Sequence, residues 1–186
     1  MKKIIVILGD IASGKSTLAD NIKEDNHFLC LKKDVIKECL ADQIGFSSRE
    51  ENLKLSHSAM DIMFSTSEVA MNCELDIILE ANFHAPDLKR LQKLVEKYQY
   101  QSIFIFLTAD LDILFKHFQS RVPTRHKAHL SMGLHHDFQA FSRYVISSRE
   151  DIMEWNFPTF DVSILSQEEL YRKVKHLLMK ENFLYE

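Results

Sequence analysis

The stretch ILGDIASGKST, residues 7–17, holds two of the four glycines in this 186-residue chain, five positions apart. It fits the pattern G-x-x-x-x-G-K-[ST], with Gly9, Gly14, Lys15 and Ser16 at the fixed positions. In such a loop the backbone N–H groups surround the phosphates of a nucleotide, the lysine reaches the β- and γ-phosphates, and the hydroxyl binds Mg²⁺. The stretch therefore predicts a phosphate-binding loop.

The segments on either side of this loop supply the setting that the pattern requires. Residues 2–8 are a short apolar run, rich in β-branched side chains, that is typical of a buried parallel strand, and residues 16–23 have a helical pattern. A helix that begins at the loop points its positive end at a bound anion. We expect nucleotide contacts from seven residues of the loop: Gly9, Ala12, Ser13, Gly14, Lys15, Ser16 and Thr17.

The composition is that of an ordinary soluble globular protein, with 46% hydrophobic and 27% charged residues. The formal net charge of −4 argues against a nucleic-acid partner and favours small polar substrates. The three cysteines, Cys30, Cys39 and Cys73, show no C-x-x-C pairing and are typical of reduced thiols. With neither a signal peptide nor a membrane span in the pattern, we expect a cytoplasmic protein.

Five apolar runs predict the strands of a sheet, at residues 2–8, 27–31, 75–80, 101–107 and 160–165. Segments of helical pattern lie between them, an alternation that is typical of a doubly wound α/β fold with helices on both faces of a parallel sheet. Residues 1–186 are long enough for one domain. Serines and glutamates near residues 47–50 and 166–169 fit capping boxes, and Asp110 fits the cap of a helix at 111–120.

Two segments depart from this regular alternation. Residues 47–73 are long for a crossover, and we expect one long or two shorter helices there, forming a substrate-side insertion. Residues 121–136 contain few large apolar side chains, hold Pro123 and Gly133, and are rich in arginine and histidine. That composition predicts a mobile lid.

Ligands of open α/β sheets bind beyond the carboxyl ends of the strands, so the polar residues that follow each apolar run are candidates for chemistry. Asp34 fits a general base for an acceptor hydroxyl, or the N-cap of the helix that follows. Glu80 fits a ligand of Mg²⁺, a group that binds the acceptor together with Asn82, or a carboxylate held by local hydrogen bonds. For Asp110 the capping role is favoured.

These residues together resemble a known group, the small P-loop kinases, and within it the AAA-type or zeta-toxin-like kinases that include polynucleotide kinase and chloramphenicol phosphotransferase. The resemblance rests on the loop at 9–17, on Asp34, on Glu80 with Asn82 and Phe83, and on an arginine-bearing lid. It implies a five-stranded parallel sheet of order 2-3-1-4-5 in a three-layer P-loop fold with a helical lid.

The resemblance also implies roles for single residues. Lys15 and Ser16 would bind the nucleotide, Asp34 would be the base, and Arg121 and Arg125 would act from the lid. Two departures stand out, because many relatives have Asp at the position of Glu80, and Pro and Gly where this chain has Ile11 and Ala12. The first leaves the metal ligand open, and the second indicates a stiffer loop.

Charge supports the lid interpretation, since phosphoryl transfer spreads negative charge over oxygens that a mobile arginine stabilises. Arg121 and Arg125 are four residues apart and would share a helical face, although both also fit solvated surface positions. His126 and His129 have the spacing of metal ligands, but without nearby Cys or acidic residues other than Asp137 we favour phosphate contact or exposure.

The hypothesis that follows is an ATP- and Mg²⁺-dependent phosphotransferase, with the γ-phosphoryl group passing to a hydroxyl of a nucleoside, sugar or antibiotic-like molecule. Lys15, Asp34, Arg121 and Arg125 are its expected catalytic residues, Ser16 and Glu80 its metal ligands, and Asp34, Glu80 and Asn82 its acceptor contacts. A nucleic-acid 5′-hydroxyl kinase and a nucleotide-binding switch or NTPase are the alternatives. We expect a monomer or a homodimer.

Overall fold

The computed structural model describes residues 2–184, in which strands and helices alternate along most of the chain. The strands are β1 (Lys3–Gly9), β2 (Leu29–Lys32), β3 (Ile77–Glu80), β4 (Gln101–Thr108) and β5 (Thr159–Asp161). The helices are α1 (Lys15–Asp25), α2 (Lys33–Ile44), α3 (Arg49–Asn72), α4 (Ala85–Tyr98), α5 (Leu111–Arg121), α6 (Phe138–Asp151) and α7 (Gln167–Lys180). Two short 3-10 turns, Val122–Thr124 and Lys127–His129, lie between α5 and α6.

The strands form one parallel sheet of order β2-β3-β1-β4-β5. β1 lies at its centre, with Ile7 paired to Glu80 of β3 on one side and to Ile105 of β4 on the other. Because all strands are parallel, their carboxyl ends meet at one edge, where the phosphate-loop sequence follows β1. The predicted fold class and strand order are confirmed.

Alternation along β1 builds the two faces of the sheet. Ile5 and Ile7 are buried in a cluster with side chains of α1, α5, α6 and α7. Ile4, Val6 and Leu8 are buried in a second cluster with side chains of α3 and α4. Since successive side chains of a strand point to opposite faces, a run that is apolar throughout is buried on both.

The insertion predicted at 47–73 is one continuous helix, α3. Its cap lies one residue later than the sequence pattern indicated, because the Ser48 side chain accepts the N–H of Glu51 and the Glu51 carboxylate accepts the N–H of Ser47. The second half of α3 packs on the sheet through side chains such as Phe64, whereas its first half extends toward the segment that follows α5. α3 therefore connects the core to the edge where ligands bind.

The last strand is shorter than the sequence pattern indicated. β5 ends at Asp161, whose carboxylate accepts the N–H of Ser163 at 2.8 Å and turns the chain. Ser163 in turn accepts the N–H of Asp110, and Ile164 beyond it is 80% exposed. Asp110 does occupy the N-cap position of α5, but its side chain forms no cap hydrogen bond.

The predicted lid, residues 121–136, begins at the last residue of α5 and continues through the two 3-10 turns. It is more closely packed than its composition indicated, because Ala128 and Leu134 are buried. Between residues 2 and 184, no helix has the length and apolar character that crossing a membrane requires.

Candidate active site

The phosphate-loop sequence turns sharply between β1 and α1. Gly9 has φ 134°, and a Cβ there would lie 2.1 Å from the main-chain oxygen of Leu107, so this glycine is required by the neighbouring strand β4. Gly14 has φ 90° and is the N-cap residue of α1. Ala12 also lies in the left-handed region, with φ 65°, a conformation that costs a side-chain-bearing residue about 1–2 kcal/mol.

The Lys15 side chain lies folded into this loop. Its ammonium group donates to the main-chain oxygen of Asp10 at 2.7 Å, and the residue is only 7% exposed. Burial lowers the pKa of Lys15, against the opposing effect of the Glu80, Asp34 and Asp10 carboxylates. A nucleotide phosphate would add negative charge beside this buried cation and favour its charged form.

Ser16, at the beginning of α1, contacts Glu80, at the end of β3. The Ser16 hydroxyl donates to the Glu80 carboxylate at 3.0 Å, and Glu80 is 4% exposed at the carboxyl end of β3. Burial raises the pKa of Glu80, and the Lys15 charge opposes that rise. A hydroxyl and a buried carboxylate are oxygen donors of the kind that Mg²⁺ prefers, so the pair fits that ion.

The beginning of α1 is open to this region. Gly14 has no side chain to cap the helix, whereas Ser48 and Ser166 cap α3 and α7. The first N–H groups of a helix have no partner within it, and with the positive end of the helix dipole they form an anion site. The loop residues therefore fit a nucleotide phosphate.

Asp34 lies across the cleft from the loop, in the first turn of α2. Lys32 holds the N-cap position, so the predicted capping role of Asp34 is wrong. Its carboxylate is 46% exposed and lies 3.7 Å from both Arg125 and His129. Burial raises the pKa of Asp34, but the positive charges around it outweigh burial and the net pKa is lowered, which keeps this carboxylate ionised at neutral pH.

The two lid arginines differ in their surroundings. Arg125 is only 16% exposed, with its guanidinium 5.4 Å from the centre of the Phe118 ring and beside Asp34. Arg121 ends α5 and is exposed. A 3-10 turn separates them and Arg125 has an extended backbone, so they do not share one helical face as expected.

The histidines of this segment have carboxylate partners. His126 lies 3.0 Å from Asp42, and His129 lies 2.8 Å from Glu38. Among residues 2–184 no group of three or more His, Cys, Asp or Glu side chains could hold a metal ion. His129 lies beside two carboxylates of α2, those of Asp34 and Glu38.

One cleft of about 510 Å³ brings most of the predicted site residues together. Nine of them line it: Ala12, Gly14, Lys15, Ser16, Asp34, Glu80, Asn82, Arg121 and Arg125. Gly9, Ser13 and Thr17 do not line the cleft. Ser13 is buried and donates to the main-chain oxygen of Asp10, so in this structure its hydroxyl supports the loop.

The contacts that hold the phosphate-binding loop in place were not predicted from the sequence. The Asp10 carboxylate is 1% exposed and is bound by Arg149 of α6 at 2.6 Å and by the Thr108 hydroxyl at 2.8 Å. The Arg149 guanidinium also donates to the main-chain oxygen of Ala109. The two partners are 139 residues apart, and neither stands in a pattern that connects them. An acidic residue inside the loop was the one available signal.

The comparison with protein families agrees with this geometry. A family model described as an AAA domain matches residues 4–142, most of the chain. The chain belongs to this AAA-domain family. Among curated proteins, none matches it significantly.

Solved structures share the fold of this AAA-domain protein at low identity. A "putative kinase" from Chloroflexus aurantiacus j-10-fl is 24% identical, with a TM-score of 0.76 over 94% of this chain and 97% of that one. A gluconokinase from Sinorhizobium meliloti 1021 is 14% identical, with a TM-score of 0.59 over 97% and 96%. The tunicamycin resistance protein of Deinococcus radiodurans is 14% identical, with a TM-score of 0.62 over 96% of both chains. The chain has the P-loop kinase fold, a fold associated with nucleotide binding, and the predicted resemblance is confirmed at that level.

Proposed function

We propose that this protein is an ATP-dependent phosphotransferase that moves the γ-phosphoryl group to a hydroxyl of a small molecule. One observation carries the proposal. A second cavity, of about 250 Å³, adjoins the cleft and shares Asp34, Asn82 and Arg125 with it. We call it the acceptor cavity; it lies between α2, α3 and the lid, and its other charged or polar lining residues include Lys33, Lys37, Arg49 and Asn52.

Two cavities that meet at a carboxylate and an arginine fit a reaction between two ligands. In the proposed complex, ATP occupies the cleft with its phosphates on the loop, at Lys15 and the N-terminus of α1. The acceptor enters from the other cavity and presents its hydroxyl to Asp34. A nucleotide switch or a simple NTPase needs no second cavity at this point, so the arrangement favours the transferase.

Mg²⁺ would be held by Ser16 and Glu80, whose oxygens already lie 3.0 Å apart. When bound, the ion neutralises part of the phosphate charge. Lys15 supplies a second positive charge to the β- and γ-phosphates from its buried position. These assignments give the predicted nucleotide and metal residues their roles in the proposed reaction.

The transfer step uses Asp34 and Arg125. The acceptor oxygen forms a bond to the γ-phosphorus while the bond from that phosphorus to the β–γ bridging oxygen breaks and ADP leaves. The hydroxyl proton passes to Asp34, which its lowered pKa makes a weak base suited to orienting the hydroxyl and accepting the proton late. Arg125, 3.7 Å from Asp34, would stabilise the charge on the transferring group.

Size and charge support a small acceptor in the cytoplasm. The acceptor cavity, at about 250 Å³, is slightly smaller than the ~300–1,000 Å³ typical of ligand pockets, and the chain carries a net charge of −4. Both features disfavour a nucleic-acid chain as acceptor. The three cysteines are free, which supports a reducing compartment.

The proposal is tested by incubating the protein with γ-labelled ATP, Mg²⁺ and separate pools of nucleosides, sugars, sugar acids, antibiotics and 5′-hydroxyl oligonucleotides. We expect label to appear in a small-molecule product and Lys15→Ala to abolish it. Transfer to oligonucleotides alone would support the end-kinase alternative. Release of phosphate that no acceptor stimulates would support an NTPase.

A further inference from the structure

The acceptor cavity is strongly cationic in a protein that is acidic overall. Its lining includes four side chains with a formal positive charge, Lys33, Lys37, Arg49 and Arg125, and a single carboxylate, that of Asp34. Arg125 is paired with this carboxylate. Within residues 2–184, no carboxylate lies within 4.0 Å of the charged groups of Lys33, Lys37 and Arg49.

Lys37 shows the consequence of this imbalance. The residue is 8% exposed, and its ammonium donates to the main-chain oxygen of Ala128 at 3.0 Å. Burial, together with the neighbouring charges of Lys33 and Arg125, lowers its pKa to about 8. A buried ammonium beside other cations is costly unless an anion joins them.

Asn52 provides a second, independent observation. The residue is 4% exposed, and its amide nitrogen donates to the main-chain oxygen of Ala128 at 2.9 Å and to the Ser131 hydroxyl. The Ala128 oxygen can only accept, so the amide nitrogen must face it and the orientation of the amide is determined. The Oδ1 atom of Asn52 is then a buried acceptor without a hydrogen-bond partner in the described chain.

A buried acceptor without a donor is rare in folded proteins, and a donor from outside the chain, such as a ligand hydroxyl, would satisfy it. Asn52 lines the acceptor cavity, so a hydroxyl of a bound molecule can donate to its Oδ1. The cavity thus contains three features for one ligand: a cationic wall, a hydrogen-bond acceptor, and the Asp34 carboxylate at the junction with the nucleotide cleft.

We propose that the acceptor is a small polyhydroxylated anion. Its carboxylate or phosphate ester binds Lys33, Lys37 and Arg49, one hydroxyl donates to Asn52, and the reacting hydroxyl meets Asp34. This assignment rests on the proposed function for the identity of the reacting hydroxyl. The binding of the anion itself does not depend on catalysis.

Calorimetry with matched ligands tests the proposal, using the full chain with Mg²⁺ and a non-hydrolysable ATP analogue. Glycerate and glycerol 3-phosphate are each compared with glycerol, and gluconate and sorbitol 6-phosphate with sorbitol. Since charge-assisted hydrogen bonds are the strong ones, we expect at least one anion to bind about 10-fold or more tightly than its neutral partner. Preference for the acids identifies a carboxylate, and preference for the esters identifies a phosphate.

Variants connect that preference to the cavity. Lys37→Met keeps an unbranched side chain only one heavy atom shorter, and Arg49→Met changes an exposed residue, so circular dichroism should show both folded. Either should reduce the advantage of the anion by about 10-fold. Lys54→Met is the matched control, because Lys54 lies on the same helix as Arg49, pairs with Glu50 and lies outside the cavity.

The proposal is overturned if no anion binds better than its neutral partner, or if Lys54→Met reduces the preference as much as Arg49→Met does. A separate phosphotransfer assay distinguishes this failure from that of the proposed function. Transfer to neutral polyols without anion preference would retain the transferase and remove the anionic acceptor. Anion binding without any transfer would retain the anion-binding site and contradict the proposed transferase activity.

Discussion

Asp34 is the residue on which the proposed chemistry depends most directly. Asp34→Asn keeps the size of the side chain and removes the proton acceptor, and loss of a general base typically lowers kcat by ~10²–10⁴-fold. We expect this fall in steady-state assays with the identified acceptor, while the Kd for ATP from calorimetry changes little.

The control for this variant is Asp42→Asn, which removes a carboxylate from the same helix. Asp42 is 61% exposed and is paired with His126 outside the acceptor cavity. Asp42→Asn should retain nearly full kcat. A folded Asp34→Asn protein with unchanged kcat would remove the base assignment.

Lys37 gives a prediction about stability as well as binding. Burial lowers its pKa from the 10.5 of an ordinary lysine to about 8 in the folded chain, so the charged form destabilises the fold at neutral pH. Lys37→Met removes this cost, and the Ala128 oxygen keeps the Asn52 amide as its donor. We expect the free energy of unfolding in urea at pH 7 to rise by about 1–3 kcal/mol.

The pH dependence of that gain checks its cause. As pH rises through 8, Lys37 of the folded wild-type chain loses its charge, so the advantage of Lys37→Met should shrink between pH 7 and pH 9.5. A gain that is the same at both values would indicate better packing alone. Stability gained as anion binding is lost would identify Lys37 as a functional residue.

Among single residues, the sequence identified those site residues that belong to a local sequence pattern. Lys15 and Ser16 follow from the loop motif, and Asp34 and Glu80 follow from their places after apolar runs. Lys37 and Asn52 carry no such signal, because a lysine and an asparagine within helical segments are ordinarily solvent-exposed. Their burial depends on Ala128, which is 91 and 76 residues away.

The two lid arginines are expected to differ in their contribution to kcat. Arg125 lies beside Asp34 and is mostly buried, whereas Arg121 is exposed. Arg125→Ala should therefore lower kcat by ~10-fold or more with little change in ATP affinity, since the contact belongs to the transition state. Arg121→Ala, measured with both substrates varied, should have the smaller effect. Equal effects, or none in a folded Arg125→Ala protein, would contradict the assignment of Arg125.

Boundaries of elements were predicted best where one apolar run was enough to define them. β1 and β4 differ from the predicted runs by about one residue at either end. β1 is buried along nearly all of its length, and β4 is buried at alternate residues with none of its residues fully exposed, so an apolar run marks each of them. β5 lies at the edge, and its end depends on a hydrogen bond from Ser163 to Asp161 that an apolar pattern does not reveal. The continuity of α3 likewise depends on packing against α2 and the sheet.

For the whole molecule, the alternation of strands and helices predicted the α/β class, and the family resemblance supplied the strand order. What neither supplied is the way α3 and the lid meet over α2, since the contacts join segments far apart in the chain. These segments enclose the acceptor cavity, and the charged side chains that line it are the basis for proposing an anionic acceptor. A single domain over residues 1–186 and a monomeric or homodimeric state stay predictions.

Nucleotide binding should be measurable as a property of the entire fold. A ligand that binds only the folded state stabilises it by RT ln(1 + [L]/Kd), which is about 2.7 kcal/mol at a concentration 100 times the Kd. For a chain of this length each 1 kcal/mol moves Tm by roughly 2–4 °C, so ATP with Mg²⁺ should raise Tm by about 5–10 °C. Lys15→Ala should remove most of this shift at the same ATP concentration, because the variant lacks the buried cation at the β- and γ-phosphates. The acceptor cavity does not include Lys15, so the same variant should keep its separate Tm shift with the anionic ligand. If Lys15→Ala lost both shifts, the two cavities would not be independent sites, and an equal ATP shift in both proteins would remove the loop as the nucleotide site.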